Sequence, residues 1–159
     1  RDTLRVHFAP MAHLLLLNGP NLNLLGSREP QLYGRESLAD LVARASRIAT
    51  ELGHSLSAFQ SNAEHELIDR IHAAPAAGIR FAIINAGGLT HTSVALRDAF
   101  SNVEHQLTDK PFPNTFAREA FRHHSYLSPI AVGCSVGLSP TGFEPPVRAA
   151  AEQLASTPG

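Results

Sequence analysis

Short unbroken apolar runs alternate along this chain with segments in which apolar residues recur every three or four positions. That alternation marks strands separated by helices, the pattern of a parallel α/β sheet. Leu14, Leu15, Leu16 and Leu17 follow one another without a polar break, as a strand covered on both faces requires. Ser37 can cap a helix through Leu52, with Leu38, Leu41, Val42, Ala45, Ile48 and Ala49 on one stripe and Gly53 ending it. Residues 55–60 read as a second strand. Asn62 is expected to cap a helix carrying Leu67, Ile68 and Ile71 that stops near Pro75. A third strand is expected over 81–84, a loop over 85–88, a helix over about 92–100 and a last strand over 131–138. Pro146 suits the first turn of a closing helix to about Ala155. Between Ser101 and Ala117 the pattern is poor, because Pro111 and Pro113 interrupt any strand. The expected fold is a flavodoxin-like, doubly wound, five-stranded parallel sheet in three α/β/α layers. Its site would lie outside the carboxyl ends of the strands.

Composition narrows the function. The 159 residues, 43% of them apolar, fit one domain with a sizeable core, expected over 11–159. Residues 1–10 read as an N-terminal extension or cloning remnant, with the native start at Met11. A net charge of −1 leaves no basic footprint for nucleic acid or a membrane surface. Cys134 stands alone, so no internal disulfide or cysteine-based zinc cluster is open to these residues, and a reducing cytoplasm fits. Lys110 is the only lysine and lies in a Pro-rich segment without apolar shelter, a poor setting for Schiff-base chemistry.

Three polar clusters could carry chemistry. In the first, Gly26 and Gly34 bracket Arg28 and Tyr33, as a hinged lid would. A free tyrosine, with a pKa of about 10, makes a poor base at neutral pH, and ionising it there needs roughly 4 kcal/mol of cationic stabilisation. Closely placed guanidinium groups can supply that in a water-poor site. A surface loop with a half-buried tyrosine is the plain alternative. The second cluster runs from Asn85 through Gly87 and Gly88 to His91; paired glycines permit close backbone approach, and Asn85 and His91 can bond hydroxyls. A phosphate loop, or simple capping by Thr90 and Thr92, would look similar. The third holds Arg118 and Arg122, four apart on an expected helix face where both could meet an anion. His123 and His124 lack the spacing of a zinc helix, so no metal is expected. His54, His65 and His72 read as surface or satisfied structural histidines.

Long motifs make the reading specific. They are Asn-Gly-Pro-Asn-Leu-Asn-Leu-Leu-Gly at 18–26, Arg-Glu-Pro-x-x-Tyr-Gly at 28–34 and Gln-Ser-Asn at 60–62. Two more follow: Asn-Ala-Gly-Gly-Leu-Thr-His-Thr-Ser-Val-Ala-Leu-Arg-Asp at 85–98 and Ala-Arg-Glu-x-Phe-Arg-His-His-Ser-Tyr-Leu-Ser at 117–128. In this order they resemble the type II dehydroquinases over about 12–132. The resemblance implies a cofactor-free, metal-free hydro-lyase that converts 3-dehydroquinate to 3-dehydroshikimate by anti elimination through an enolate. It also implies a cytoplasmic dodecamer built of trimers, serving aromatic amino acid biosynthesis in the shikimate pathway or quinate catabolism. Carried over, Tyr33 is the base, Arg28 and Arg118 keep cations near it, and Asn21 holds a water against the enolate oxygen. Asn85, Gly87, Gly88, His91, Phe112 and Arg122 bind substrate, and Asp98 reaches the neighbouring subunit's site.

One stretch departs from the family. Its fourth strand normally reads Glu-x-His-x-Ser-Asn; the histidine protonates the leaving hydroxyl, and backbone N–H groups just after it bind the substrate carboxylate. Read without gaps, this chain puts Asp109, Pro111 and Pro113 at the glutamate, histidine and serine, and proline offers neither a titratable group nor an N–H. A gapped reading instead makes His105 the proton donor. The expected function is therefore an active dehydratase. The alternative is an impaired paralogue that binds a cyclic polyhydroxy acid without efficient turnover. A nucleotide-binding module finds no Walker or G-x-G-x-x-G pattern to support it.

Overall fold

The leucine run becomes β1 (His13–Asn18), the centre of the sheet in a computed structural model that describes residues 11–27, 35–103, 106–109, 115–135 and 142–156. The other strands are β2 (Ser55–Gln60), β3 (Ile79–Asn85), β4 (Gln106–Asp109) and β5 (Gly133–Cys134). Their spatial order is β2-β1-β3-β4-β5, and every pairing is parallel. This is the flavodoxin-like order, whose direction of winding reverses between β1 and β3 and opens a crevice at their carboxyl ends.

The period-2 geometry of a strand explains the unbroken leucines. Leu14 and Leu16 pack with Phe81 and Ile83 against α1 (Leu38–Glu51) and α4 (Glu144–Ser156), through Leu41, Ala45, Ile48, Phe143 and Val147. Leu15 and Leu17 face the opposite layer. There α2 (Glu64–Ala73) and α3 (Val94–Ser101) bring Leu67, Ile71, Leu96 and Phe100 against Ala82, Ile84 and Leu107. Fully burying one such leucine contributes roughly 1.5–3 kcal/mol.

Most element boundaries agree with the sequence reading, and the exceptions have local causes. Ser37 caps α1 as expected: its Oγ accepts from the Asp40 N–H at 3.1 Å, and Asp40 Oδ2 accepts from the Ser37 N–H at 3.0 Å. Asn62 does not cap α2. Its Oδ1 instead accepts from the Asn21 N–H at 2.9 Å and from Gln60 at 3.2 Å, while Ser61 Oγ takes the Ala63 N–H. Ser93, not Thr90 or Thr92, caps α3, accepting from the Leu96 N–H at 2.8 Å. β4 forms inside the stretch whose pattern was poor, where the family resemblance implies a fourth strand, and ends at Asp109, ahead of both prolines. β5 pairs over Gly133–Cys134 alone, and residues 136–138 of the expected strand lie outside the described residues. Residues 1–10 lie outside them as well.

Candidate active site

The carboxyl ends of the strands carry an unusual row of buried polar side chains. Asn18 ends β1, Asn85 ends β3 opposite it, and Asp109 ends β4 opposite Ile84, all within 1% of full burial. Among the described residues both amide atoms of Asn18, Nδ2 of Asn85, Oγ1 of Thr90 and Oδ1 of Asp109 have no hydrogen-bond partner. An unsatisfied buried group costs about 1–3 kcal/mol. Five such atoms lie at one edge, and two of their residues, Thr90 and Asp109, line the adjacent cleft.

Two loops meet backbone to backbone above this row. The Gly19 N–H donates to the Asn85 carbonyl at 2.8 Å, and a Cβ on Gly19 would stand 2.4 Å from the Ala86 oxygen. Gly87, at φ +58°, would place a Cβ 2.9 Å from the Pro20 oxygen. Its missing side chain therefore serves loop packing, whereas the Cβ position of Gly88 faces open space. Asn21 sits in the left-handed region at φ 70°, held by its N–H bond to Asn62. Asn85 turns its Oδ1 back to the Gly87 N–H at 3.2 Å, which leaves its Nδ2 hydrogens for other acceptors.

Beside these loops lies a cleft lined by Thr90, His91, Asp109, Thr115, Phe116, Arg122, His123, His124, Ser125, Ser128 and Pro129. His91 Nδ1 lies 2.7 Å from the His124 carbonyl oxygen. A carbonyl only accepts, so Nδ1 carries the hydrogen and Nε2 stays open to a ligand. The segment behind His91 is fixed from two sides, by the Tyr126 N–H on the Thr90 carbonyl at 2.9 Å and by Arg97 on the Tyr126 carbonyl at 2.8 Å.

Arg118 and Arg122 do not share a helix face. The chain forms 3-10 turns at Thr115–Ala117 and Ala120–Arg122, and both guanidinium groups converge on Glu119, at 3.5 and 2.8 Å. The bonded backbone and the Arg122 hydrogen bond hold the Glu119 carboxyl below its usual range. Arg122 reaches the cleft lining and Arg118 does not.

The cleft also contains an acid that the motif reading passed over as a mere replacement. Asp109 Oδ2 accepts from Ser128 Oγ at 2.8 Å and Ser125 Oγ at 3.3 Å. Burial pushes this carboxyl above its ordinary range, against the pull of the two serine hydroxyls and of His91. The family pattern already set Asp109 at the glutamate of the fourth strand; its full burial and its serine partners are what the sequence does not signal.

Of the other residues singled out in the sequence, Asp98 is exposed on α3, while Arg28, Tyr33, His105 and Phe112 lie outside the described residues. His54 is buried and takes the Ala12 N–H on its Nδ1, and His65 and His72 are exposed. No group of three or more His, Cys, Asp or Glu is placed to hold a metal among the described residues, and no helix there is long and apolar enough to cross a membrane.

The family described as dehydroquinase class II matches residues 12–151. The chain belongs to this family. A 3-dehydroquinate dehydratase of Teredinibacter turnerae is 52% identical over 144 residues, covering 91% of this chain and 94% of its relative. One from Xylella fastidiosa is 56% identical over 127 residues, 80% of this chain and 86% of the other. The crystal structure of a type II dehydroquinase from Propionibacterium acnes superposes with a TM-score of 0.82 at 35% identity, covering 89% of this chain and 98% of that one. The class II dehydroquinase fold thus accounts for the sheet order, and the cleft lies at the carboxyl edge where such a fold places ligands.

Proposed function

We propose that this chain, a hydro-lyase of the class II dehydroquinase family, dehydrates 3-dehydroquinate to 3-dehydroshikimate by anti elimination through an enolate, without a cofactor. The observation that carries this reading is the 52% identity to a protein named 3-dehydroquinate dehydratase, spread over 91% of this chain. Tyr33 removes the proton beside the ketone as a phenolate, with Arg28 and Arg118 supplying the positive charge that keeps it ionised. Asn21 positions a water against the oxygen on which negative charge develops. The Asn85 amide, the open Nε2 of His91 and the Arg122 guanidinium hold the substrate's oxygens, and Gly87, Gly88 and Phe112 shape the pocket around its ring. Asp98 extends from α3 toward a neighbouring subunit's site in a trimer, four of which make a dodecamer.

The test is direct. Adding 3-dehydroquinate should produce the absorbance of a conjugated enone in proportion to enzyme. If the absorbance stays flat at high enzyme concentration while the substrate still raises the melting temperature, the chain binds without efficient turnover and the dehydratase reading is wrong.

A further inference from the structure

Read without gaps, the sequence has Pro111 where the family pattern has the histidine that protonates the leaving hydroxyl, so on that reading this chain needs another proton donor. His105, the donor of the gapped reading, directly precedes β4 at the end opposite Asp109. We propose that Asp109 is that donor. The inference rests on the dehydration reading above and adds to it the residue that completes the reaction.

Three observations place the acid. Asp109 closes β4 at the sheet edge that carries Asn18 and Asn85, and it lines the cleft shared by His91, Arg122 and Ser125. Its side chain is 0% exposed, and it is the only carboxyl group in the cleft lining among the described residues. Its two oxygens are unlike: Oδ2 accepts both serine hydroxyls, and Oδ1 has no partner among the described residues. An oxygen that already accepts two hydrogen bonds is a poor place for a proton, so in the neutral acid the proton belongs on Oδ1.

The serines are oriented for this. Ser125 Oγ accepts the Leu127 and Ser128 N–H groups at 3.1 and 2.9 Å, which leaves its own hydrogen to donate to Asp109. Both hydroxyls thus stabilise the carboxylate that remains after the proton has gone, without competing for it beforehand. Burial raises this carboxyl above its ordinary value, the direction a proton donor needs. Around Asp109, His91 comes from the turn after β3, and Arg122, His123 and His124 come from the segment preceding β5. Cys134 stands opposite it on β5, where the Ser135 N–H donates to the Asp109 carbonyl.

The step balances. The Tyr33 phenolate takes the proton beside the ketone and leaves an enolate. As the enolate collapses to the conjugated ketone, the C–O bond breaks and its electron pair departs on oxygen. The Asp109 O–H bond then breaks toward that oxygen, so water leaves and a carboxylate remains. Solvent returns a proton to Asp109 and accepts the one held by Tyr33.

The experiment follows wild type and Asp109→Asn with 3-dehydroquinate in heavy water, reading both enone absorbance and deuterium taken up beside the ketone of recovered substrate. With the variant folded by circular dichroism, dehydration should fall by about 10²–10⁴-fold, while deuterium uptake, which reports enolate formation alone, persists. A second variant, Ser128→Ala, removes a bond that favours the carboxylate, so the alkaline limb of its kcat profile should move to higher pH. Dehydration by Asp109→Asn within a few-fold of wild type overturns the proposal, as does an equal loss of dehydration and exchange. If Asp109→Asn does not fold, an unmoved limb in Ser128→Ala overturns it. Wild-type exchange without dehydration removes Asp109 as a working acid but keeps the enolate chemistry. Neither exchange nor dehydration in wild type rejects the dehydratase reading itself.

Discussion

Asp109 has a consequence for stability that is independent of any substrate. Its folded pKa lies above the ordinary value of 3.8 because burial penalises the charge. The folded chain therefore keeps this proton to higher pH than the unfolded chain does. The corresponding stability is fully present below 3.8 and is lost as the pH rises through the raised value. Asp109→Asn cannot undergo that loss, so its melting temperature should gain on wild type as the pH rises above 3.8, whatever constant offset the amide introduces; a pH-independent difference would contradict this. A related contrast concerns glycine. Gly87→Ala must place a side chain at φ +58° and 2.9 Å from the Pro20 oxygen, whereas Gly88→Ala enters open space. The first should cost about 1–3 kcal/mol in chemical denaturation, and the second should be nearly silent. At this scale the sequence was informative wherever a residue's chemistry is local. His91 and Arg122 were recognisable within long motifs, and both line the cleft. The packing role of Gly87 was not, since it depends on a loop almost 70 residues away in the chain. Nor was the burial of Asp109, a residue the family pattern aligned with its glutamate; that burial exists only because β4 docks between β3 and β5.

Among the elements, β1 and α1 show how far local patterning reaches. Four successive leucines serve two cores because alternate side chains face opposite layers. The Ser37–Asp40 capping box fixes where α1 begins, and Ser37→Ala should lower stability by about 1 kcal/mol in urea unfolding, within the usual range for lost caps. An unchanged midpoint would mean that the neighbouring segment, not the cap, sets that boundary. The helix expected around Arg118 and Arg122 illustrates the opposite limit. Periodicity placed both cations on one face, but the chain turns in short 3-10 segments and brings them together on Glu119 instead. The α2 cap failed for a similar reason, because Asn62 holds the Asn21 loop across the top of the sheet. Polar side chains near the crevice were drawn into long-range bonds that no short window reveals. β4 itself was hidden by the prolines just beyond its end, although its four residues pair in register with Phe81 to Ile84.

For the molecule as a whole, the sheet order brings three strand ends, at Asn18, Asn85 and Asp109, into one polar edge and puts the cleft beside the carboxyl end of β3. The likeness to family structures spans nearly the whole chain, so the fold supplies the frame and the loops supply the chemistry. If Asp98 completes a neighbour's site in a trimer, two separately inactive variants should rescue each other. Tyr33→Phe and Asp98→Ala, unfolded together and refolded as mixed oligomers, should recover a measurable part of wild-type dehydration. Mixtures as inactive as their parents would confine each site to a single subunit.

The central chemical claim is a phenolate base, and the dehydration rate of Tyr33→Phe at saturating 3-dehydroquinate tests it most directly. Removing only the phenolic oxygen should lower the rate by about 10²–10⁴-fold, with fold and substrate binding retained. A variant that makes the enone as fast as wild type would show that some other group removes the proton.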